Sequence, residues 1–206
     1  MISFPQSPKV LSGLGPKVTH SLVRAVDLAA GDLQTYRETY PSWVAQHSER
    51  GLANWIHDRL WAHLIAELDG HPGVTLTDGE PTRELTVGIS YRLRVKRHRD
   101  DGQVSSYATQ TALEFFAQGP QEAFPGFEEV RLTAGYEWDP DARKIGEAVL
   151  SLRDGQEKVV WLVPLRSAGE PPATGTVQPV QPTTPTPQLP SIDVPAAGQR
   201  ESTEDR

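Results

Sequence analysis

Cysteine is absent from the 206 residues. That excludes disulfides, thiolate metal sites and thiol catalysis, and it fits an expected cytoplasmic location. Long hydrophobic runs are missing too. Met1 to Lys17 holds no apolar run of signal-peptide length, and no later stretch approaches the length of a membrane span. A soluble protein with no membrane partner is the expectation. Positive charge is scarce: 20 Lys and Arg face 27 Asp and Glu, for a net charge of −7. This argues against wholesale nucleic-acid binding and leaves room for a local basic patch.

Several catalytic signatures are also lacking. No G-x-S-x-G elbow, P-loop or convincing helix-turn-helix occurs. Gly13-Leu14-Gly15 precedes a possible helix but follows no strand-like run, so it is no dinucleotide fingerprint. Pro140-Asp141 followed by Gln156-Glu157-Lys158 offers an acid and then a lysine. A metal-dependent nuclease would need a second carboxylate where Gln156 stands, because hard cations take several oxygen ligands. No cofactor and no metal is expected.

Against these absences, alternation is abundant. Leu85, Val87, Ile89, Tyr91, Leu93 and Val95 occupy every second position, with Thr86, Gly88, Ser90, Arg92, Arg94 and Lys96 between them. A period of two marks a half-buried strand. Asp100-Asp101-Gly102 would turn this strand into a second one, making residues 84–116 a long β-hairpin. A three-residue loop sets Arg99 opposite Gln103, Val95 opposite Tyr107 and Ile89 opposite Leu113, which keeps one face apolar. The other face would carry Arg92, Arg94, Lys96, Gln110 and Glu114 and be wet.

Further strands are expected at Val130 to Asp139, at about 145–153 and at Val159 to Leu165. An Asp154-Gly155 turn would set Leu150 opposite Val159 and Ala148 opposite Trp161. The last strand is apolar on both faces, so a second cover is expected, with the N-terminal segment as its source.

Helical spacing appears in two places. Val18, Leu22, Val26 and Ala29 suit a helix from Pro16 to Gly31, with a second short helix over Leu33 to Glu38. Leu52, Ile56, Leu60, Leu64 and Leu68, widened by Trp55 and Trp61, define a helix over residues 49–69 capped by Ser48. Residues 1–14 read as an irregular lead-in and residues 70–83 as a loop. Beyond Ala168 the chain is rich in Pro, Thr and Gln, with almost nothing to bury, and reads as a disordered tail. Its deletion should leave the body folded.

The expected architecture is therefore α+β. N-terminal helices pack on a five-stranded antiparallel meander, open or curled to a half-barrel, in one domain over residues 1–167 followed by a tail over 168–206. The expected function is a non-enzymatic binding or regulatory accessory role. A protein or nucleic-acid partner would meet the polar sheet face through Arg92, Arg94, Lys96, Gln110 and Arg131. The alternative is a metal-dependent hydrolase or nuclease near the 49–69 helix, using His57, His63 and Glu67. His57 falls inside the apolar arc of that helix, and His63 and Glu67 are four apart. The plainer reading of His57 is a core-edge histidine, and that of His63 and Glu67 a solvated helix face.

Overall fold

A computed structural model describes residues 4–79, 82–104, 106, 109–117 and 129–166. The elements run in the order α1 (Ser7–Thr39), α2 (Pro41–Gln46), α3 (Glu49–Leu68), β1 (Val74–Gly79), β2 (Thr82–Val87), β3 (Tyr91–His98), α4 (Gln110–Phe116), β4 (Val130–Asp139), β5 (Lys144–Arg153) and β6 (Val159–Pro164). The fold is α+β, as the pattern implied. The expected tail, residues 168–206, lies outside the described residues, as does the Gly119–Gly126 connection.

The sheet departs from the expected meander. It has six strands in sequence order, it is open, and β3 and β4 run parallel. A parallel pair needs a crossover, because a tight turn can join only antiparallel neighbours. Here the crossover carries α4 between β3 and β4.

The proposed hairpin over residues 84–116 is corrected at both ends. The chain folds back at Gly88-Ile89-Ser90, pairing Leu85 with Leu93 and Val87 with Tyr91. The alternation is symmetric about Ile89, so it persists through the turn and cannot locate it. Two local features mark the place: Gly88 takes φ +58°, and Ile89 is 70% exposed. At the other end only the tip of the expected hairpin forms. The Arg99 amide donates to the Gln103 carbonyl at 2.8 Å, and His98 bridges Val104. Gly102 supplies the left-handed residue the three-residue loop requires, with φ +74°. Beyond it, residues 110–116 are helix. Thr109 caps α4 by accepting from the Ala112 amide at 3.2 Å, and Ala112, Phe115 and Phe116 form its buried face. The expected pairing of Leu113 with Ile89 is thereby replaced, and that of Tyr107 with Val95 lies outside the described residues.

Other boundaries shift for similar reasons. The N-terminal helix begins at Ser7, inside the expected irregular lead-in, and runs past Gly31 to Thr39. Its one non-helical residue is Gly15, at φ +80°, immediately before Pro16, whose ring restricts the residue it follows. A Cβ at Gly31 would meet nothing, so the helix continues at only the ordinary glycine cost. Residues 74–79, expected as loop, form β1, pairing Leu76 with Leu85. Leu150 lies opposite Val163 and Leu152 opposite Trp161, because the β5–β6 loop is longer than two residues: the Asp154 amide donates to the Lys158 carbonyl at 2.9 Å.

One sheet face packs on α1 and α3. Leu85, Leu93, Leu132, Ala134, Leu150 and Leu152 meet Val18, Leu22, Val26, Leu52, Ile56, Leu60 and Leu64 in one buried cluster. α1 crosses β4 and β5, α3 lies toward β1 and β3, and the two helices pack on each other. Ser48 caps α3 as expected, accepting from the Gly51 amide at 3.0 Å. The Tyr91 hydroxyl lies where a Cβ at Gly13 would be, so glycine there permits close contact of α1 with the sheet. The N-terminal segment reaches β6, where the Trp161 indole donates to the Pro5 carbonyl at 2.9 Å.

Candidate functional site

The basic ladder forms along the sheet: Arg92, Arg94 and Lys96 alternate along β3 away from the helices, and Arg131 follows in register on β4, opposite Arg92. Its surroundings differ from the expected wet face. α4 lies over the middle of it, and Arg94 is 8% exposed. The Arg94 guanidinium donates twice to one Glu84 oxygen, at 2.8 and 2.6 Å, and stacks over the Phe115 ring with 4.1 Å to its centre. Arg92 bridges Glu84 at 3.6 Å and Glu129 at 3.0 Å. Arg131 pairs with Glu129 at 2.9 Å and donates to the Glu114 carbonyl, near the end of α4. The neutralising acids are Glu84 and Glu129. Arg94 and Arg131 thus hold α4 and the sheet together, with both signs of charge buried between them. Gln110 stands apart at the exposed start of α4, donating to Glu114 at 2.8 Å.

Next to the ladder lies a polar layer that the sequence reading did not anticipate. His98 Nε2 is 3.0 Å from the Ser151 hydroxyl, and Ser151 is 2.5 Å from the Thr133 hydroxyl. All three are buried. Burial, then the nearby Arg153, lowers the His98 pKa to about 4, against an opposing backbone contact at Lys96. Arg153 is buried too, donating to the Gly102 and Gln156 carbonyls and to the Gln103 side chain, each at 2.7 Å. These cross-strand positions, Thr133 opposite Ser151, carry the same alternation as the apolar face. The signal was present as polar residues alternating within strands whose other face is apolar.

The histidines and the glutamate of α3 do not converge. His57 is half-buried, and its Nδ1 lies 3.3 Å from the Arg83 guanidinium. Burial first, then Arg83 and Lys96, lowers its pKa to about 4. His63 Nε2 lies 2.7 Å from Asp32 on α1, which Arg59 also reaches at 2.7 Å. Burial raises the Asp32 pKa, but the hydrogen bonds from Arg59 and His63 outweigh it, and the net shift is downward. Glu67 is held by Arg24 at 2.7 Å and Lys17 at 3.3 Å. His63 and Glu67 therefore serve the α1–α3 seam separately. Among the described residues no three His, Asp or Glu side chains cluster as a metal site would require.

A different surface collects where α1 meets α2. Tyr40 and Trp43 stack with ring centres 4.6 Å apart, and Tyr36 stacks on Trp55 at 4.8 Å. Tyr36 and Tyr40 join the two pairs at 6.1 Å, and the Tyr36 hydroxyl is 3.1 Å from His47 Nε2. Trp43 is 59% exposed and Tyr40 45% exposed. Beside them a shallow groove of about 260 Å³ is lined by Asp32, Thr35, Tyr36, Thr39, Tyr40, Trp55 and Arg59. The sequence signal was Tyr36, Tyr40 and Trp43 at helical spacing around Pro41, read only as a helix end.

No helix among the described residues is long and apolar enough to cross a membrane. The chain matches no protein-family model, and neither the curated proteins nor the solved structures give a match.

Proposed function

We propose that this chain is a non-enzymatic, cytoplasmic accessory protein that binds a protein partner through the Tyr40–Trp43 surface. The observation that carries this reading is the exposure of two stacked aromatic rings, continuous with Tyr36 and Trp55. Tyr and Trp are enriched at protein interfaces, where they contribute large contact area at low entropy cost. The net charge of −7 weighs against a nucleic-acid backbone as partner. So does the buried pairing of Arg94 and Arg131, which leaves Arg92 and Gln110 as the rim of the expected binding face.

The test is affinity capture from the source cells with three baits: wild type, Tyr40→Ala/Trp43→Ala, and Arg92→Glu/Lys96→Glu. A partner lost with the aromatic variant and kept with the charge variant supports the reading. Loss with the charge variant alone would return the contact to the basic face. Capture indifferent to both would overturn binding through either surface.

A further inference from the structure

A second groove, of about 420 Å³, runs along the other side of α1 between its last turns and the start of β5. Ala30, Leu33 and Ile145 supply an apolar floor; Gln34, Arg37, Glu38 and Lys144 stand around it. Leu33 is buried and Ile145 half-buried, so the floor continues the core outward.

Two cations at this groove stand outside the ion pairs that tie the helices together. Along the helices Arg59 has Asp32, Arg97 and Arg143 share Glu49, and Lys17 and Arg24 share Glu67. Among the described residues, neither Arg37 nor Lys144 has a carboxylate partner. Glu38, the acid on the rim, receives a hydrogen bond from Gln34 at 3.0 Å. Arg37 donates to the Arg143 carbonyl, which brings a second guanidinium toward it, and the combination of burial and that like charge lowers its pKa. In a chain of net charge −7, two cations left without acids beside an apolar floor form an unbalanced spot. The carbonyl end of α1 is close by and by itself would repel an anion. The cations must therefore provide the attraction, and a guanidinium with free N–H donors presents a fork that matches a carboxylate.

We propose that this groove binds an amphiphilic carboxylate, a small acid with an unbranched apolar chain. The carboxylate sits between Arg37 and Lys144, and the chain lies on Ala30, Leu33 and Ile145. The volume is in the range of small-molecule sites, and the pattern of few polar groups over an apolar floor is the usual one. This site is independent of the aromatic surface, which faces the α3 side of the same helix, and neither proposal requires the other.

The probe is octanoate, titrated into the full chain and followed by methyl NMR of Leu33 and Ile145. Acetate lacks the chain, and octanamide lacks the charge. Octanoate should shift the Ile145 methyl saturably, with at least tenfold weaker binding for acetate and for octanamide. Lys144 is exposed and partnerless, so Lys144→Glu should keep the fold and weaken octanoate at least tenfold. Ala30→Phe, which fills the floor, should abolish binding while the amide spectrum away from the groove stays unchanged. The proposal is overturned if octanoate produces no saturable shift at Ile145. Equal affinity for octanoate and octanamide, or octanoate binding unchanged in Lys144→Glu, overturns it as well.

Discussion

On the helix-covered face of the sheet, Leu85, Leu93, Leu132, Leu150 and Leu152 fill alternating positions. On the opposite face Arg94, Arg131, Thr133, Ser151 and Arg153 fill the positions between, and they too are buried. The apolar face gains from burial without direction: a leucine needs neighbours, whatever their identity. The polar face gains only where each group meets its partner, because an unpaired buried charge costs more than the pair returns. The first face therefore tolerates change of shape up to a cavity, whereas the second depends on named pairs: Arg94 with Glu84, Arg131 with Glu129, His98 with Ser151.

The largest effect should come where the two faces share backbone. A Cβ at Gly135 would overlap the Lys96 carbonyl on the neighbouring strand, a backbone atom that cannot move aside alone. Gly135→Ala should separate the parallel β3–β4 pair and cost about 3–5 kcal/mol or abolish folding, read by denaturant melts. Next come single truncations on each face. Arg94→Ala leaves Glu84 with only the 3.6 Å contact to Arg92 and should cost about 3–5 kcal/mol. Leu132→Ala on the other face leaves a cavity and should cost about 2–5 kcal/mol. The two are separable by salt and pH, to which only the first should respond.

A smaller effect sharpens the comparison through pH. His98 and His57 have folded pKa values lowered from 6.5 to about 4, whereas unfolded chains protonate near 6.5. Between those values the unfolded state binds more protons. Stability is therefore unaffected by these groups above about pH 6.5 and declines as pH falls toward 4. For fully buried His98 the loss is on the order of 2–3 kcal/mol. Melts of wild type and His98→Gln at pH 7 and pH 4.5 check it: the variant should lose less on acidification.

How much of this was legible beforehand follows the same division. The apolar stripe of α3 named Leu52, Ile56, Leu60, Leu64 and Leu68, and all five are buried. β4 begins and ends where its alternation does. The α+β class followed from those patterns. What the pattern could not carry was direction. Alternation symmetric about Ile89 reads alike through a turn and along a strand, so the β2–β3 hairpin was missed. Residues 110–116 suited either a strand or a helix until Thr109 capped them, and with α4 came the crossover that makes β3 and β4 parallel. Glu84, which neutralises Arg94, lies 10 residues away on another strand, and Arg94's cover is a helix, so sequence proximity gave no sign of that pair. The Tyr40–Trp43 stack depends on how α2 turns away from α1 after Tyr40, which periodicity does not specify.

The smallest predicted change lies away from both faces. Gly31 is an exposed helix-interior glycine with open space around its Cα, so Gly31→Ala should stabilise by about 0.5–1 kcal/mol in thermal melts.

The central claim is that the arginines of the basic ladder, Arg92, Arg94 and Arg131, are bound up in internal pairs. A double-mutant cycle on Glu84 and Arg94 tests it most directly, with Glu84→Gln, Arg94→Met and the double variant compared by denaturant unfolding at two salt concentrations. Internal pairing predicts a coupling energy of about 1–3 kcal/mol, with the double variant more stable than Arg94→Met alone. Additive effects, with coupling near zero at both salt concentrations, would contradict it and return Arg94 to the surface as a free cation.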